Sequence, residues 1–319
     1  MEATGRTVAV PIKRVRKLSR VALVEERWGY LFIMPWLLGF LFFTLGPMIA
    51  SLYFSFTRYE FPLTPKWIGL KNYVTALFED ELFYVSLANT VYYVGIGVPL
   101  GLIVSLLLAM LLDRSIRGRA VWRTIYYLPS IVPTVASTFL FMYIFQPEYG
   151  LINGWIWKLF RVEGPGWFNS KQWVKPTFIL LSLWGAGGPR MIIFLAGLQN
   201  IPSELYEAAE VDGAGRWQKL LNITIPMLSP TIFFNLITGI IGAFKIFGPA
   251  YVATSGGPYY GSYFYVLHLF NNAFQYWNSG YASALAWILF LIILVLTLIQ
   301  FKVARSWVYY ESAQMAEAM

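Results

Sequence analysis

Residues 82–112 read LFYVSLANTVYYVGIGVPLGLIVSLLLAMLL, and no Asp, Glu, Lys or Arg falls between Glu81 and Asp113. A helix that crosses a bilayer needs about 20 mostly apolar residues. It must also satisfy its own backbone, because the hydrocarbon core offers no water. The same signal recurs on both sides of this stretch. No charge falls between Arg27 and Arg58, between Arg123 and Glu148, or between Lys219 and Lys245. A longer charge-free run, from Lys245 to Lys302, is broken by Ser255-Gly256-Gly257-Pro258 and by Asn271-Asn272. Spans are expected near 30–55, 85–112, 123–146, 227–247 and 283–302, and a sixth near 174–198 carries one charge, Arg190. The expected fold is an all-α integral membrane protein with six transmembrane helices.

Composition agrees. Of 319 residues, 58 % are hydrophobic and 13 % charged, about half the charge of an average soluble domain. Disorder is excluded, since it needs low hydrophobicity and high charge. The 13 Trp and 21 Tyr suit the lipid–water boundary. The net charge of +8 would point to nucleic acid in a soluble chain, but here position decides its meaning. Six spans put both termini on one side. The flanks 1–29, 113–123, 199–226 and 302–319 hold fifteen basic residues, against seven in the opposite flanks. The first side, with Lys13, Arg14, Arg16, Lys17, Arg20 and Arg27 before the first span, is therefore expected to be cytoplasmic. The excess charge then sets orientation, and no nucleic-acid partner is expected. The expected organisation is a basic cytoplasmic segment 1–29, a six-helix transmembrane domain 30–302 that includes the loop 199–226, and a cytoplasmic tail 303–319. The first apolar region exceeds a signal peptide's, and no small-x-small site follows Ile49-Ala50, so an uncleaved first span is expected.

The spans lack an engine. They contain no Asp or Glu, and the single histidine, His268, falls in an outer segment. Proton-driven carriers relay protons through such groups. No G-x-x-x-x-G-K-[ST], H-E-x-x-H or G-x-S-x-G occurs. With no cysteine there is no thiolate nucleophile and no cysteine-ligated metal, so no catalytic residue or metal site is expected. A membrane-embedded enzyme has almost no acid–base chemistry available here. Two readings remain: a stand-alone passive channel or carrier, and a subunit powered by another chain.

The loop 199–226 separates them. It opens Gln199-Asn200-Ile201-Pro202-Ser203-Glu204-Leu205-Tyr206-Glu207-Ala208-Ala209-Glu210-Val211-Asp212-Gly213-Ala214-Gly215-Arg216. Pro202 and Ser203 start a helix, with Ser203 as the expected cap. Glu204 and Glu207 sit where the dipole favours anions. Leu205, Ala208, Ala209 and Asp212 share one face. Gly213 and Gly215 stop the helix. A second helix begins near Trp217 and is expected to end at Pro226 before the next span. A helix lying on anionic lipid is expected to be basic, whereas this loop has Glu204, Glu207, Glu210 and Asp212 against Arg216 and Lys219. That favours a protein partner, which a lone pore does not need.

Glu207-Ala208-Ala209, three residues, Gly213, nine residues, then Ile223-Thr224-Ile225-Pro226 resembles the EAA loop of ABC importer permeases, E-A-A-x3-G-x9-I-x-L-P, with Ile225 in place of Leu. Most of the chain is similar to the carbohydrate-uptake, maltose-type permeases. The similar segments include Asn89-Thr90, Tyr127–Pro133, Glu148–Asn153, Phe194–Pro202, Phe244–Phe247, Thr254–Pro258 and Gly280–Ala284. The chain resembles the larger first permease of the pair, without that subunit's big external domain. The resemblance implies a type I importer permease fold in a bacterial plasma (inner) membrane. It implies a second homologous permease, two ATPase subunits that carry ATP and Mg, and an extracytoplasmic solute-binding protein. No cofactor is implied on this chain. Glu204, Glu207, Ala208, Ala209, Asp212, Gly213, Ile223 and Pro226 are the implied ATPase-coupling residues.

Candidates for the substrate path come from the spans. Arg190 follows Gly185-Ala186-Gly187-Gly188-Pro189, where a broken helix is expected that is either buried or lines a cavity. Its role is either to bind an acidic group on the saccharide, such as a uronate, or to snorkel to a headgroup or pair with backbone carbonyls. Asn235, Gly239 and Gly242 form a small-polar stripe, for helix packing or for a sugar hydroxyl. Tyr143 and Trp184 stack on sugar rings or anchor the spans. Lys245 ends the fifth span, at a gate or as a structural residue. The aromatic 251–277 segment is a binding-protein contact or an interfacial belt.

Overall fold

The computed structural model describes residues 20–114 and 117–309. The remainder of the expected N-terminal segment and C-terminal tail, 1–19 and 310–319, lies outside the described residues. Among the described residues, four helices are long and apolar enough to cross a membrane, or up to six if each of two bent pairs is one span. The chain forms two compact units, Met1–Tyr53 and Phe54–Met319.

The first unit holds most of helix α1, Val24–Ser55. A π-turn, Leu41–Leu45, lies just before Gly46-Pro47, and the Gly46 N–H reaches back to the Leu41 carbonyl. Pro47 lacks an N–H and its ring crowds the carbonyl four residues earlier; the wider turn relieves both.

The second unit begins with a two-strand hairpin, β1 (Thr57–Arg58) and β2 (Lys66–Trp67), paired antiparallel. It is then organised around α2, Glu81–Asp113. Asp80 caps this helix, its Oδ1 accepting from the N–H groups of Leu82 at 2.9 Å and Phe83 at 3.2 Å. Gly97, Gly101, Ser105 and Ala109 recur every fourth residue and are buried. Small residues let neighbouring helices approach closely without a hydrophobic drive from water. The helical segments Val174–Trp184, Pro189–Gln199 and Ile225–Ala243 pack on this helix.

The third expected span, 123–146, is not one straight helix. Helix α3 (Arg119–Ser130) and helix α4 (Thr134–Ile144) meet at 93°. The cause is Pro129 and Pro133: proline disfavours helix at the preceding residue and removes a donor. Arg119 and Arg123 lie on one side of α3, and exposed Val121, Ile125 and Leu128 on the other. Helix α5 (Leu151–Phe160) follows.

The fourth span breaks where glycines predicted it. Helix α6 (Val174–Gly187) and helix α7 (Pro189–Gln199) are bent by 48°. The break frees a carbonyl, and Ser105 Oγ lies 2.7 Å from the Ala186 oxygen. A Cβ on Gly187 would sit 2.3 Å from the Tyr126 carbonyl oxygen. Backbone cannot yield as a side chain does, so Gly187→Ala is expected to destabilise the protein by about 3 kcal/mol. Gly185→Ala, with open space around its Cβ, is expected to leave the thermal midpoint unchanged. Unfolding in detergent measures both.

The loop's second helix and the fifth span are one helix, contrary to the expected stop at Pro226. Helix α9 runs through 216–243, preceded by helix α8, Ser203–Val211. A π-turn, Leu220–Thr224, joins the Ile225 N–H to the Leu220 carbonyl and places Pro226 in the turn that follows. The proline is absorbed as in α1. Short helices α10 (Gly248–Ala253) and α11 (Tyr265–Phe270) follow, before helix α12, Ser279–Ala304. Asn278 Oδ1 accepts the Tyr281 N–H at 3.3 Å at its start.

Candidate functional site

Near the midpoint of α2 a cavity of 470 Å³ opens among α2, α6, α7 and α9. Tyr93, Gly97 and Gly101 line it from α2, Ser182 and Gly185 from α6, Pro189 and Arg190 from α7, and Asn235, Thr238, Gly239 and Gly242 from α9. The proline and glycine break turns Arg190 into this space. A Cβ on Gly101 would lie 2.7 Å from Arg190 Nη1, and a Cβ on Gly239 would lie 3.0 Å from Nη2. Two glycines on two helices thus form a slot for the guanidinium. The small-polar stripe of α9 therefore lines a cavity as well as packing. Asn235, 2 % exposed, sits in the same wall and donates from Nδ2 to the Thr231 carbonyl at 2.9 Å.

Among the described residues no acid pairs with Arg190. A charge at membrane depth without a counter-ion is costly, and an incoming anion offsets that cost. The other path candidates lie elsewhere. Tyr143 is exposed and its ring centroid is 6.1 Å from that of Tyr149. Trp184 tilts against Phe141 at 5.5 Å. Lys245 is exposed beyond the end of α9. The cavity brings together Arg190 and Asn235 and leaves these three outside. The glycine slot on α2 escaped the sequence reading, although Gly97, Gly101, Ser105 and Ala109 at every fourth residue were a readable signal.

The second site is the α8–α9 loop. Pro202 occupies the cap position and Ser203 is the first helical residue, making no side-chain cap bond. The expected Ser203 cap is thereby corrected: the extended Pro202 already sets the entry. At the other end Gly213 has φ +77°. Its N–H bonds the Glu210 carbonyl at 3.0 Å, and the Ala214 N–H bonds the Ala209 carbonyl at 2.8 Å. This double bond pattern closes a helix through a left-handed residue, where glycine carries no steric penalty. Glu204, Glu207, Ala208, Asp212 and Gly213 face outward, while Ala209, Ile223 and Pro226 are half-buried. Ile223 packs against the core of α2, α7 and α9. Tyr206 points inward, its hydroxyl 2.9 Å from Thr224 Oγ1. The outer face adds Val211, 89 % exposed, and Trp217, 74 % exposed. An acidic rim thus surrounds exposed apolar and alanine surface.

The segment 251–277 divides into buried and exposed aromatics. Tyr263, Phe264 and Tyr265 are core residues, whereas Tyr259, Tyr260, Phe274, Tyr276 and Trp277 are exposed. Asn89 and Thr90 tie the segment to α2: Asn89 Nδ2 donates to the Tyr260 carbonyl at 2.8 Å, and Thr90 Oγ1 accepts the Tyr265 N–H at 2.9 Å. His268 Nε2 donates to Asp80 Oδ2 at 2.9 Å, and Tyr281 donates to the same oxygen at 2.5 Å. Burial holds the imidazole below its ordinary pKa, against the opposite pull of Asp80. The neutral ring therefore contributes stability that is present above the ordinary histidine pKa and lost as pH falls through the lower folded value. His268→Gln is expected to flatten the fall in thermal midpoint below about pH 6.

Residues 97–308 match the model of the family described as "binding-protein-dependent transport system inner membrane component". The chain belongs to this family. The chain is accordingly an integral membrane transport component. It is 44 % identical over 301 residues to the probable ABC transporter permease protein YesP of Bacillus subtilis, covering 93 % of this chain and 97 % of that one. The arabinooligosaccharides transport system permease protein AraP of the same organism is 35 % identical, covering 87 % and 88 %. A solved bacterial ABC transporter involved in import of the acidic polysaccharide alginate superposes with a TM-score of 0.78 at 26 % identity, covering 90 % of this chain and 99 % of that one. The family's permease fold is the one observed, with bent third and fourth spans.

Proposed function

We propose that this chain is a permease subunit of an ATP-driven importer for a saccharide delivered by an extracytoplasmic binding protein. One observation carries the reading: α9 is continuous from the docking loop to the cavity wall. From Arg216 to Gly239 it spans about 35 Å at 1.5 Å per residue, so movement of α8 by a partner is transmitted to Asn235 and Gly239 by a rigid element. The partners are a second homologous permease and two ATPase subunits, which carry the ATP and Mg; the ATPases dock on Glu204, Glu207, Ala208 and Asp212. The relatives AraP and the alginate transporter are named for oligosaccharide and acidic polysaccharide transport. Arg190, without an acid beside it, favours an acidic saccharide here too.

The test is reconstitution with partner permease, ATPase and binding protein in proteoliposomes. ATP-dependent saccharide uptake is expected, with uronate-bearing oligosaccharides preferred over neutral ones. Uptake that proceeds equally without ATP would mean a passive pore. ATP-driven uptake confined to neutral sugars would overturn the acidic preference alone.

A further inference from the structure

A second polar cavity, 530 Å³, opens at the foot of α9, between the C-terminal end of α2 and the inward face of the coupling loop. Arg114, Arg216 and Lys219 line it, with the hydroxyls of Tyr206 and Thr224. Met110 and Leu220 supply apolar wall. Of the three cations, Lys219 has a carboxylate, Glu210 at 2.5 Å. Among the described residues Arg114 and Arg216 have none. Asp113, beside Arg114, is directed instead to Arg119 at 3.7 Å. The cavity therefore carries two positive charges in excess, those of Arg114 and Arg216.

We propose that this cavity holds the phosphate of an anionic phospholipid headgroup, and that the lipid braces the α8–α9 joint against α2. The proposal rests on the coupling-loop reading for its consequence, not for the binding itself. Arginine forks suit phosphate oxygens. Basic pockets between membrane helices on the cytoplasmic side take anionic lipid headgroups. The apolar Met110 and Leu220 fit a ligand with an acyl chain and offer nothing to a free phosphate. A protein partner is disfavoured by direction. The acids Glu204 and Glu207 and the exposed Val211 face outward from α8, whereas the cavity lies behind that helix, against Tyr206. A lipid seated there touches α2 through Arg114 and α9 through Arg216 and Lys219. It therefore stiffens the joint that α8 must drive.

The test uses the complete transporter in nanodiscs of phosphatidylcholine with graded phosphatidylglycerol, and reads retained lipid by native mass spectrometry. Wild type is expected to retain phosphatidylglycerol preferentially. Arg114→Gln and Arg216→Gln are each expected to lower that retention about fivefold, from about 1 kcal/mol for each basic residue at an anionic surface. Arg305→Gln removes a charge elsewhere and should leave retention unchanged; Arg216→Lys should restore most of it. Equal retention in the Arg114→Gln/Arg216→Gln double variant overturns the site. Displacement of the lipid by millimolar inorganic phosphate would assign the cavity to a soluble anion instead. Loss of the ATPase subunits from the double variant with lipid retained would assign it to the protein interface. Retention is read without ATP, so it stands or falls independently of transport.

Discussion

Gly213→Val is expected to leave the transporter assembled and hydrolysing ATP while saccharide uptake falls about tenfold to thirtyfold. Gly213 has φ +77°, and a Cβ built there meets nothing within 4 Å. The cost of a side chain is therefore purely conformational. A left-handed L-residue costs about 1–2 kcal/mol, and more when β-branched, and 1.4 kcal/mol is a factor of ten. The strain is relieved by opening the turn that holds Gly213 to Glu210 and Ala214 to Ala209. Once that turn opens, α8 can move without α9. Gly213→Asn, which tolerates the left-handed region, should keep most uptake. The measurement is uptake per ATP hydrolysed in proteoliposomes. Normal coupling in the valine variant would remove the glycine turn from the mechanism.

Arg190→Gln is expected to lower uptake of a uronate-bearing oligosaccharide about tenfold to a hundredfold and to spare a neutral sugar. Hydrogen bonds to charged groups are worth about 1.5–3 kcal/mol, which sets that range. The same variant removes an unneutralised charge from membrane depth, so its thermal midpoint should hold or rise. A merely structural arginine predicts the reverse: a lower midpoint and equal losses for both sugars. Gly101→Ala approaches the same question without touching the charge. Its Cβ would lie 2.7 Å from Arg190 Nη1, and the flexible guanidinium must move aside. Selective loss of acidic uptake is expected again, with little change in stability. Competition uptake with paired neutral and acidic oligosaccharides measures both.

Much of the fold was legible because membranes punish charge. The gap from Glu81 to Asp113 is a helix over those very residues, and the last span was placed within four residues at its start. The glycine and proline at 185–189 foretold the bend in the fourth span, since neither residue supports a continuous ladder. Pro129 and Pro133 carried the same information for the third span, but its hydropathy concealed a right-angle turn. Pro226 misled in the opposite direction. A proline usually stops a helix, but the π-turn before it changes which carbonyl each N–H meets. At Pro226 that turn absorbs the proline, and periodicity does not reveal it.

At the sites the division is similar. Glu207, Ala208, Ala209 and Gly213 were readable because the turn needs glycine at one spacing. Tyr206 was not, since its bond to Thr224 joins two helices. Arg190 was conspicuous as the lone charge in its span. That Gly101 and Gly239 cradle it required the packing of α2 and α9.

The sequence by itself determined that this chain lives in a membrane, which way it is expected to face, and where its glycine-closed, acid-rich loop lies. Those properties follow from local chemistry: the cost of charge in hydrocarbon, the bias of Lys and Arg in the flanks, the backbone demands of one glycine turn. Tertiary structure alone decided what each span faces. A guanidinium comes to line a cavity, and three cations become a pocket, only when helices distant in sequence close around them.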